Sequence, residues 1–368
     1  MLGLRNAPIG LKSVKGLQIL SKRSKPSWNA GFTFRLRSTS AKDKTNAVFT
    51  AEQLKEAQEA RLKGLEPYVS KLPAKIIPYA ELMRLERPVG TWLLYIPCTW
   101  SITMAATQTL APVSTTLWTL FLFGTGALIM RGAGCTINDL LDRKLDDKVI
   151  RTVERPIAAG RVTPKQAVTF LGAQTAVGVG ILSQLPADCW WLGLSSLPLV
   201  FTYPLFKRFT YYPQVALSAC FTWGALLGYP AMGLMDWPAM LPLYASSFLW
   251  CMIYDTIYAH QDKKFDIKVG IKSTALAWGD RSRKICVAMS VAQMGLLATA
   301  GATSGLLMGP GFLAGMAIFG YRLFSMVLKV DLDNPADCWK YFTSNIRSGL
   351  YFSAALLFDY FLKIFGVL

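Results

Sequence analysis

The chain has 368 residues, 52% of them hydrophobic and only 17% charged, and it carries a formal net charge of +17. An ordinary soluble domain is about 45–50% apolar and about 25% charged, so long apolar blocks with a mean hydropathy of +0.33 point to one polytopic membrane protein. The basic residues lie between those blocks and in the N-terminal arm, which favours topology and anionic ligands over nucleic acid. A single histidine, His260, excludes a His-rich metal site or a serine triad elsewhere. Seven scattered cysteines without a C-x-x-C exclude a zinc site or a disulfide framework.

The arm comes first in the chain. Arg5, Lys12, Lys15, Lys22, Arg23, Lys25, Arg35, Arg37 and Lys42 stand in it with no acid before Asp43, and serines recur. A basic, acid-poor, serine-rich start is the composition of a mitochondrial transit peptide, so residues 1–45 are read as targeting sequence. Residues 46–75 read as a soluble linker or amphipathic helix. Residues 76–368 read as the membrane domain.

Nine spans are predicted in that domain, at 89–107, 115–137, 165–183, 189–205, 214–234, 239–258, 285–303, 309–328 and 348–367. Lys and Arg number six in 138–164, two in 206–212, seven in 259–284 and three in 329–347. The opposite loops, 108–114, 184–188, 235–238 and 304–308, have none. Eighteen against none is a strong positive-inside signal. If the arm is a transit peptide, the protein is multi-pass in the mitochondrial inner membrane with the basic loops facing the matrix. The expected fold class is therefore all-α, a polytopic membrane bundle of about nine transmembrane helices.

The chemistry lies in the basic-side loops. The second span runs on as LIMRGAGCTINDLLDRKLDDKVIRTVERPIAAG. Arg131, Asn138, Asp142 and Asp146 lie 0, 7, 11 and 15 residues along. At about 3.6 residues per turn they share one helix face. The i,i+4 carboxylates Asp142 and Asp146 can flank a divalent cation, with Asp139 to the side. The sixth span ends in LWCMIYDTIYAHQDKKFDIKVGIKS, where Asp255, Asp262 and Asp266 repeat the same seven-then-four spacing. Two pseudo-repeated halves would bring Asp142, Asp146, Asp262 and Asp266 to one mouth of a central cavity. Solvated loop charges would explain one such motif alone. Two matched copies, each continuing a membrane helix, argue for function, because ionisable groups in a membrane are costly. Mg²⁺ takes oxygen ligands and bridges carboxylates to phosphates, so a diphosphate is the natural ligand. Arg151, Arg155, Lys207, Arg208 and Lys272 lie on the side where they could reach it.

These elements resemble the UbiA superfamily of intramembrane prenyltransferases. N-D-x-x-D-x-x-x-D matches Asn138, Asp139, Asp142 and Asp146; D-x-x-x-D matches Asp262 and Asp266; Y-P-x-x-K-R matches Tyr203, Pro204, Lys207 and Arg208. Within the superfamily, residues 84–101, 138–163 and 254–262 resemble the 4-hydroxybenzoate polyprenyltransferases of ubiquinone biosynthesis. The resemblance implies a nine-helix bundle in a lipid bilayer that joins a polyprenyl diphosphate to 4-hydroxybenzoate with Mg²⁺ as cofactor. It also implies residue roles. Asn138, Asp139, Asp142, Asp146, Asp262 and Asp266 would serve the metal. Arg131, Asn138 and Arg84 would lie on the acceptor side. Arg151, Arg155, Tyr203, Lys207, Arg208 and Lys272 would line the diphosphate. Asp255 or the leaving diphosphate would take the ring proton. Association with other ubiquinone-biosynthesis proteins fits the same reading. Two alternatives stay open: a sister prenyltransferase with another acceptor, such as haem O synthase or a naphthoate or homogentisate enzyme, and a secondary transporter with a cation site.

Overall fold

In the computed structural model the chain divides at Val48/Phe49 into two units. The structure describes residues 49–368 apart from 66, 151, 271 and 368; for 67, 203–205, 207, 208, 264–266, 268 and 269 it describes the backbone only. The basic arm, with its expected transit peptide, lies outside the described residues. Residues 49–75 belong to the second unit.

Among the described residues the regular structure is helical. Three short helices, α1 (Ala51–Lys63), α2 (Pro67–Ser70) and α3 (Ile77–Leu82), precede α4 (Val89–Thr109), α5 (Val113–Asp146) and α6 (Pro164–Leu182). Next come α7 (Ala187–Ser195), α8 (Leu197–Phe209), α9 (Pro213–Phe221), α10 (Gly224–Ala231) and α11 (Trp237–Val269). After the short α12 (Thr274–Trp278) and a 3-10 turn, α13 (Ser282–Thr303), α14 (Pro310–Lys329) and α15 (Pro335–Ile364) close the chain. Each expected span falls on helix, and all but two on one continuous helix. Three stretches, Val113–Asp146, Thr274–Thr303 and Pro310–Lys329, are long and apolar enough to cross a membrane by length and composition. The expected spans 189–205 and 214–234 are each broken in two, into pieces of 9 and 13 residues and of 9 and 8 residues.

The breaks have local causes. Pro198 stands in the first turn of α8, where its missing N–H and fixed φ suit a helix start and not an interior. Between α9 and α10 the Thr222 hydroxyl donates to the Ser218 carbonyl at 2.8 Å, and Trp223 Nε1 donates to the Leu192 carbonyl at 2.8 Å. Non-helical backbone at membrane depth is tolerated where it lines a cavity or is buried in protein. Here Cys220, Phe221, Trp223 and Gly224 all line the cavity described below.

The centre of the bundle is α4. Every residue from Ile96 to Thr107 is buried, so no face of that stretch is left for solvent or lipid, as befits a central helix. Several of its polar residues are tied internally. Thr99 and Ser353 hydroxyls meet at 2.7 Å, and Ser101 donates to the Ala225 carbonyl at 2.7 Å. Trp100 stacks on Trp250 with centroids 5.1 Å apart and donates from Nε1 to the Gly349 carbonyl. Two glycines permit the close packing. A Cβ at Gly228 would come within 2.5 Å of Ser101 and 2.8 Å of the Ile102 backbone, and one at Gly349 within 2.6 Å of Ile96. Such small-residue contacts let membrane helices approach without a hydrophobic driving force.

Candidate active site

A cavity of about 1580 Å³ opens among α1, α4, α5, α6, α8, α9, α10 and α11. Its lower wall is apolar: Leu122, Phe123, Ile181, Leu182, Val200 and Leu227 are among its lining residues. Its polar wall is built mainly by α5 and α11, the two longest helices among those described, of 34 and 33 residues. At about 1.5 Å per residue each is ~50 Å long, well beyond a ~30 Å hydrocarbon core. Each is thus longer than the apolar layer requires, and the acidic residues stand in its C-terminal part.

Arg131, Asn138, Asp142 and Asp146 on α5 line this cavity, as do Asp255 and Asp262 on α11 and Arg84, Asp139, Arg155 and Lys272. Ten expected residues from four separate stretches of chain thus meet one space. Arg151 lies outside the described residues. So do the side chains of Tyr203, Lys207, Arg208 and Asp266, although the last four sit on α8 and α11.

Two of the expected residues pair with each other. Arg84 NH2 donates to both oxygens of Asp139, at 2.7 and 2.9 Å, and its NH1 donates to the Glu81 carbonyl at 2.8 Å. Arg155 NH1 adds a 3.2 Å contact to the same carboxylate. Asp139 is 1% exposed. In this arrangement both oxygens of the carboxylate face guanidinium groups. Arg84 is held in place by these same contacts. The sequence offers no sign of this, because Arg84 takes a left-handed backbone, φ 56°. It stands just past the end of α3. Arg84 N donates to the Glu81 carbonyl and Leu85 N to the Ala80 carbonyl, both at 3.0 Å. That is the helix-ending turn in which glycine is usual, and an arginine there is strained by about 1–3 kcal/mol.

Asp146 lies one step further along the same network. Arg155 NH1 donates to its two oxygens at 3.1 and 3.0 Å. One guanidinium therefore joins Asp139 and Asp146, leaving other lone pairs of Asp146 available. Asn138, Asp142 and Asp262 supply further oxygen donors on the cavity wall. Among the described residues no three His, Cys, Asp or Glu side chains cluster tightly enough to hold a metal by themselves. That donor set fits Mg²⁺ better than zinc or copper, since Mg²⁺ binds through one or two carboxylates and completes its shell with water and substrate phosphate.

Arg131 differs from the other arginines of the cavity. Its guanidinium sits over the Phe221 ring, 5.3 Å from the centroid. It is packed so closely on Gly90 that a Cβ there would come within 2.5 Å of its Nε. Unlike Arg84 and Arg155, it has no hydrogen bond or ion pair to the described residues. Lys272 is held at the rim, with its Nζ donating to the Phe209 carbonyl at 3.3 Å and lying 5.1 Å from the Tyr211 ring centroid.

Residues outside the expected motifs also shape the mouth. Glu81, 5% exposed, accepts from Arg61 Nε at 2.5 Å and NH2 at 3.2 Å, and it also accepts from Arg161. This clamp fastens α1, whose Gln53, Glu56, Ala57 and Ala60 face the cavity. The helix itself starts on a capping box between Thr50 and Gln53, a signal readable in the TAEQ sequence. Burial pushes the Glu86 carboxyl above its usual pKa, and Glu86 lines the same mouth. His260 stays apart, with Nε2 3.0 Å from the Ser282 hydroxyl.

Comparison with known proteins agrees with the resemblance. The profile of the UbiA prenyltransferase family matches residues 94–353. The chain is 70% identical over 321 residues to the mitochondrial 4-hydroxybenzoate polyprenyltransferase of Saccharomyces cerevisiae, covering 87% of this chain and 86% of that one. It is 47% identical to the human protein of the same name, covering 77% and 75%. A UbiA homolog from Aeropyrum pernix shares the fold at a TM-score of 0.60 and 20% identity, over 73% of this chain and 97% of that one. A UbiA homolog from Archaeoglobus fulgidus, solved with DMAPP and Mg²⁺, aligns at a TM-score of 0.52 and 18% identity, over 75% and 99%. The chain belongs to the UbiA prenyltransferase family.

Proposed function

We propose that this protein transfers the chain of a polyprenyl diphosphate to the ring carbon ortho to the hydroxyl of 4-hydroxybenzoate, releasing diphosphate, in ubiquinone biosynthesis. The observation that carries the reading is the unpaired guanidinium of Arg131 inside an apolar-walled cavity whose mouth bears the carboxylates. An arginine so placed lacks a counter-anion among the described residues, and a benzoate carboxylate matches its planar fork. Arg131 and Asp142 lie eleven residues apart on one helix, ~16 Å along the axis. That leaves room for the aromatic acid and the diphosphate in series.

Asn138, Asp142, Asp146, Asp262 and Asp266 would hold a divalent cation, Mg²⁺ by donor chemistry. When bound it would neutralise the diphosphate and stabilise it as a leaving group. The chain's own groups do the rest. Arg155, with Arg151, Tyr203, Lys207, Arg208 and Lys272, steadies the departing diphosphate. Arg131 fixes which ring carbon faces prenyl C1. The C1–O bond breaks, its electron pair leaves with the diphosphate, and the ring carbon forms the new bond to C1. The ring proton then passes to Asp255 or to the diphosphate, restoring aromaticity. The apolar walls exclude water that would otherwise capture the cationic C1. The mitochondrial names of the relatives, the basic arm and the one-sided loop charges support an inner-membrane site with the mouth toward the matrix. Association with other proteins of the pathway belongs to the same reading.

The test uses membranes containing the native chain, radiolabelled 4-hydroxybenzoate, a polyprenyl diphosphate and Mg²⁺, beside Asp142→Asn and Asp262→Asn. Prenylated product should form, vanish on chelation, and fall at least about 100-fold in both variants, as expected when groups acting on a developing charge are removed. Product that survives chelation, or another acceptor used in preference to 4-hydroxybenzoate, would overturn the assignment.

A further inference from the structure

Tyr254 is 2% exposed, and its hydroxyl is buried without a hydrogen-bond partner among the described residues. Cys251 Sγ lies beside it and interacts with it, but a thiol sulfur is a weak acceptor and does not satisfy a phenolic O–H. The ring is held firmly, edge-on to Trp250 at 5.4 Å and to Phe342 at 5.8 Å between centroids. The hydroxyl therefore cannot swing away to find a partner. Leaving such a group unpaired is costly, and a phenylalanine would keep the same packing without that cost. Yet Tyr254 lines the cavity, as Arg131 does, and α9, whose Phe221 lies under the Arg131 guanidinium, packs against α11. Two polar groups without a hydrogen bond to the described residues, one cationic and one an O–H donor, thus line the same largely apolar cavity.

We infer that Tyr254 is a substrate-contacting residue for the acceptor: its hydroxyl donates to the carboxylate that Arg131 holds, so that the acid is bound at two points. This rests on the acceptor reading above. Arg131 supplies the charge, and Gly90 and Phe221 fix where that charge sits. Tyr254 supplies a neutral donor from a different helix, α11, so the carboxylate ties α5 to α11 only when the acceptor is bound. A hydroxyl fixed by packing selects for an oxygen at that spot. An acceptor with an apolar group there would leave both Tyr254 and Arg131 unpaired, and sites of this kind reject the analogue lacking the polar group.

The experiment compares the native chain with Tyr254→Phe, which keeps the ring contacts. The readouts are kcat, KM for 4-hydroxybenzoate, KM for the prenyl diphosphate, and the competitive inhibition constant of 4-methylphenol, which keeps the ring and hydroxyl but lacks the carboxylate. KM for 4-hydroxybenzoate should rise about tenfold, the lower end of what a hydrogen bond to a charged group is worth. kcat, the prenyl diphosphate KM and the 4-methylphenol constant should stay within about twofold of native. An unchanged KM for 4-hydroxybenzoate overturns the inference. So does an equal weakening of 4-methylphenol, which would place the hydroxyl on the ring or in the scaffold. Arg131→Gln separates the two levels. If it raises the 4-hydroxybenzoate KM while Tyr254→Phe does not, only the Tyr254 contact falls. If the native chain does not prenylate 4-hydroxybenzoate, the acceptor reading falls and takes the contact with it.

Discussion

Asp139→Asn distinguishes a structural carboxylate from a metal ligand within one acidic motif. Asp139 is 1% exposed in its side chain, while its partners Arg84 and Arg155 are 22% and 25% exposed. Removing one partner of a buried ion pair typically costs about 3–5 kcal/mol, because the other charge is left without compensation. Both guanidinium groups here keep some access to water and Arg155 retains Asp146, so ~2–3 kcal/mol is expected. In a domain of this size each kcal/mol lowers Tm by about 2–4 °C, giving a fall of ~4–12 °C in detergent micelles. The assay is thermal unfolding of purified native and variant protein, paired with the Mg²⁺ concentration for half-maximal rate. A metal ligand would show the opposite pattern, an unchanged Tm and a Mg²⁺ requirement raised many-fold, and that result would refute the argument. Arg84→Gly refines the comparison. It loses the same ion pair but relieves the left-handed backbone at φ 56°, so it should destabilise by less than Asp139→Asn.

Two further predictions concern the mouth and the acceptor side. Glu81→Gln removes the anion shared by Arg61 and Arg161, so α1 should loosen. Limited proteolysis within residues 51–65 should speed up several-fold while the membrane helices stay resistant, and equal cleavage rates would show that the clamp does not hold α1. Gly90→Ala places a methyl where Arg131 Nε now lies, 2.5 Å from the new Cβ. The guanidinium must shift, and KM for 4-hydroxybenzoate should rise while KM for the prenyl diphosphate does not. Equal changes in both would mean the cavity as a whole had been disturbed.

The sequence by itself determined the helical class, the placement of the helical segments and much of the polar wall. Those features are local. Apolar length marks a membrane helix, and a seven-then-four spacing puts Arg131, Asn138 and Asp142 on one helix face whatever surrounds it. Thr50 with Gln53 announces the start of α1 in the same local way. What only the tertiary structure decided depends on contacts between distant stretches. Asp139 and Asp142 stand in one motif, yet Asp139 is closed off by Arg84, 55 positions away. Glu81 fastens α1 through Arg61 and Arg161, 20 and 80 positions away. The clearance that Gly90 gives Arg131 and the buried hydroxyl of Tyr254 leave no mark in periodicity or composition. Spacing along one helix fixes direction only; which carboxylate meets a cation, and which stays open to a ligand, is set when other helices pack against it.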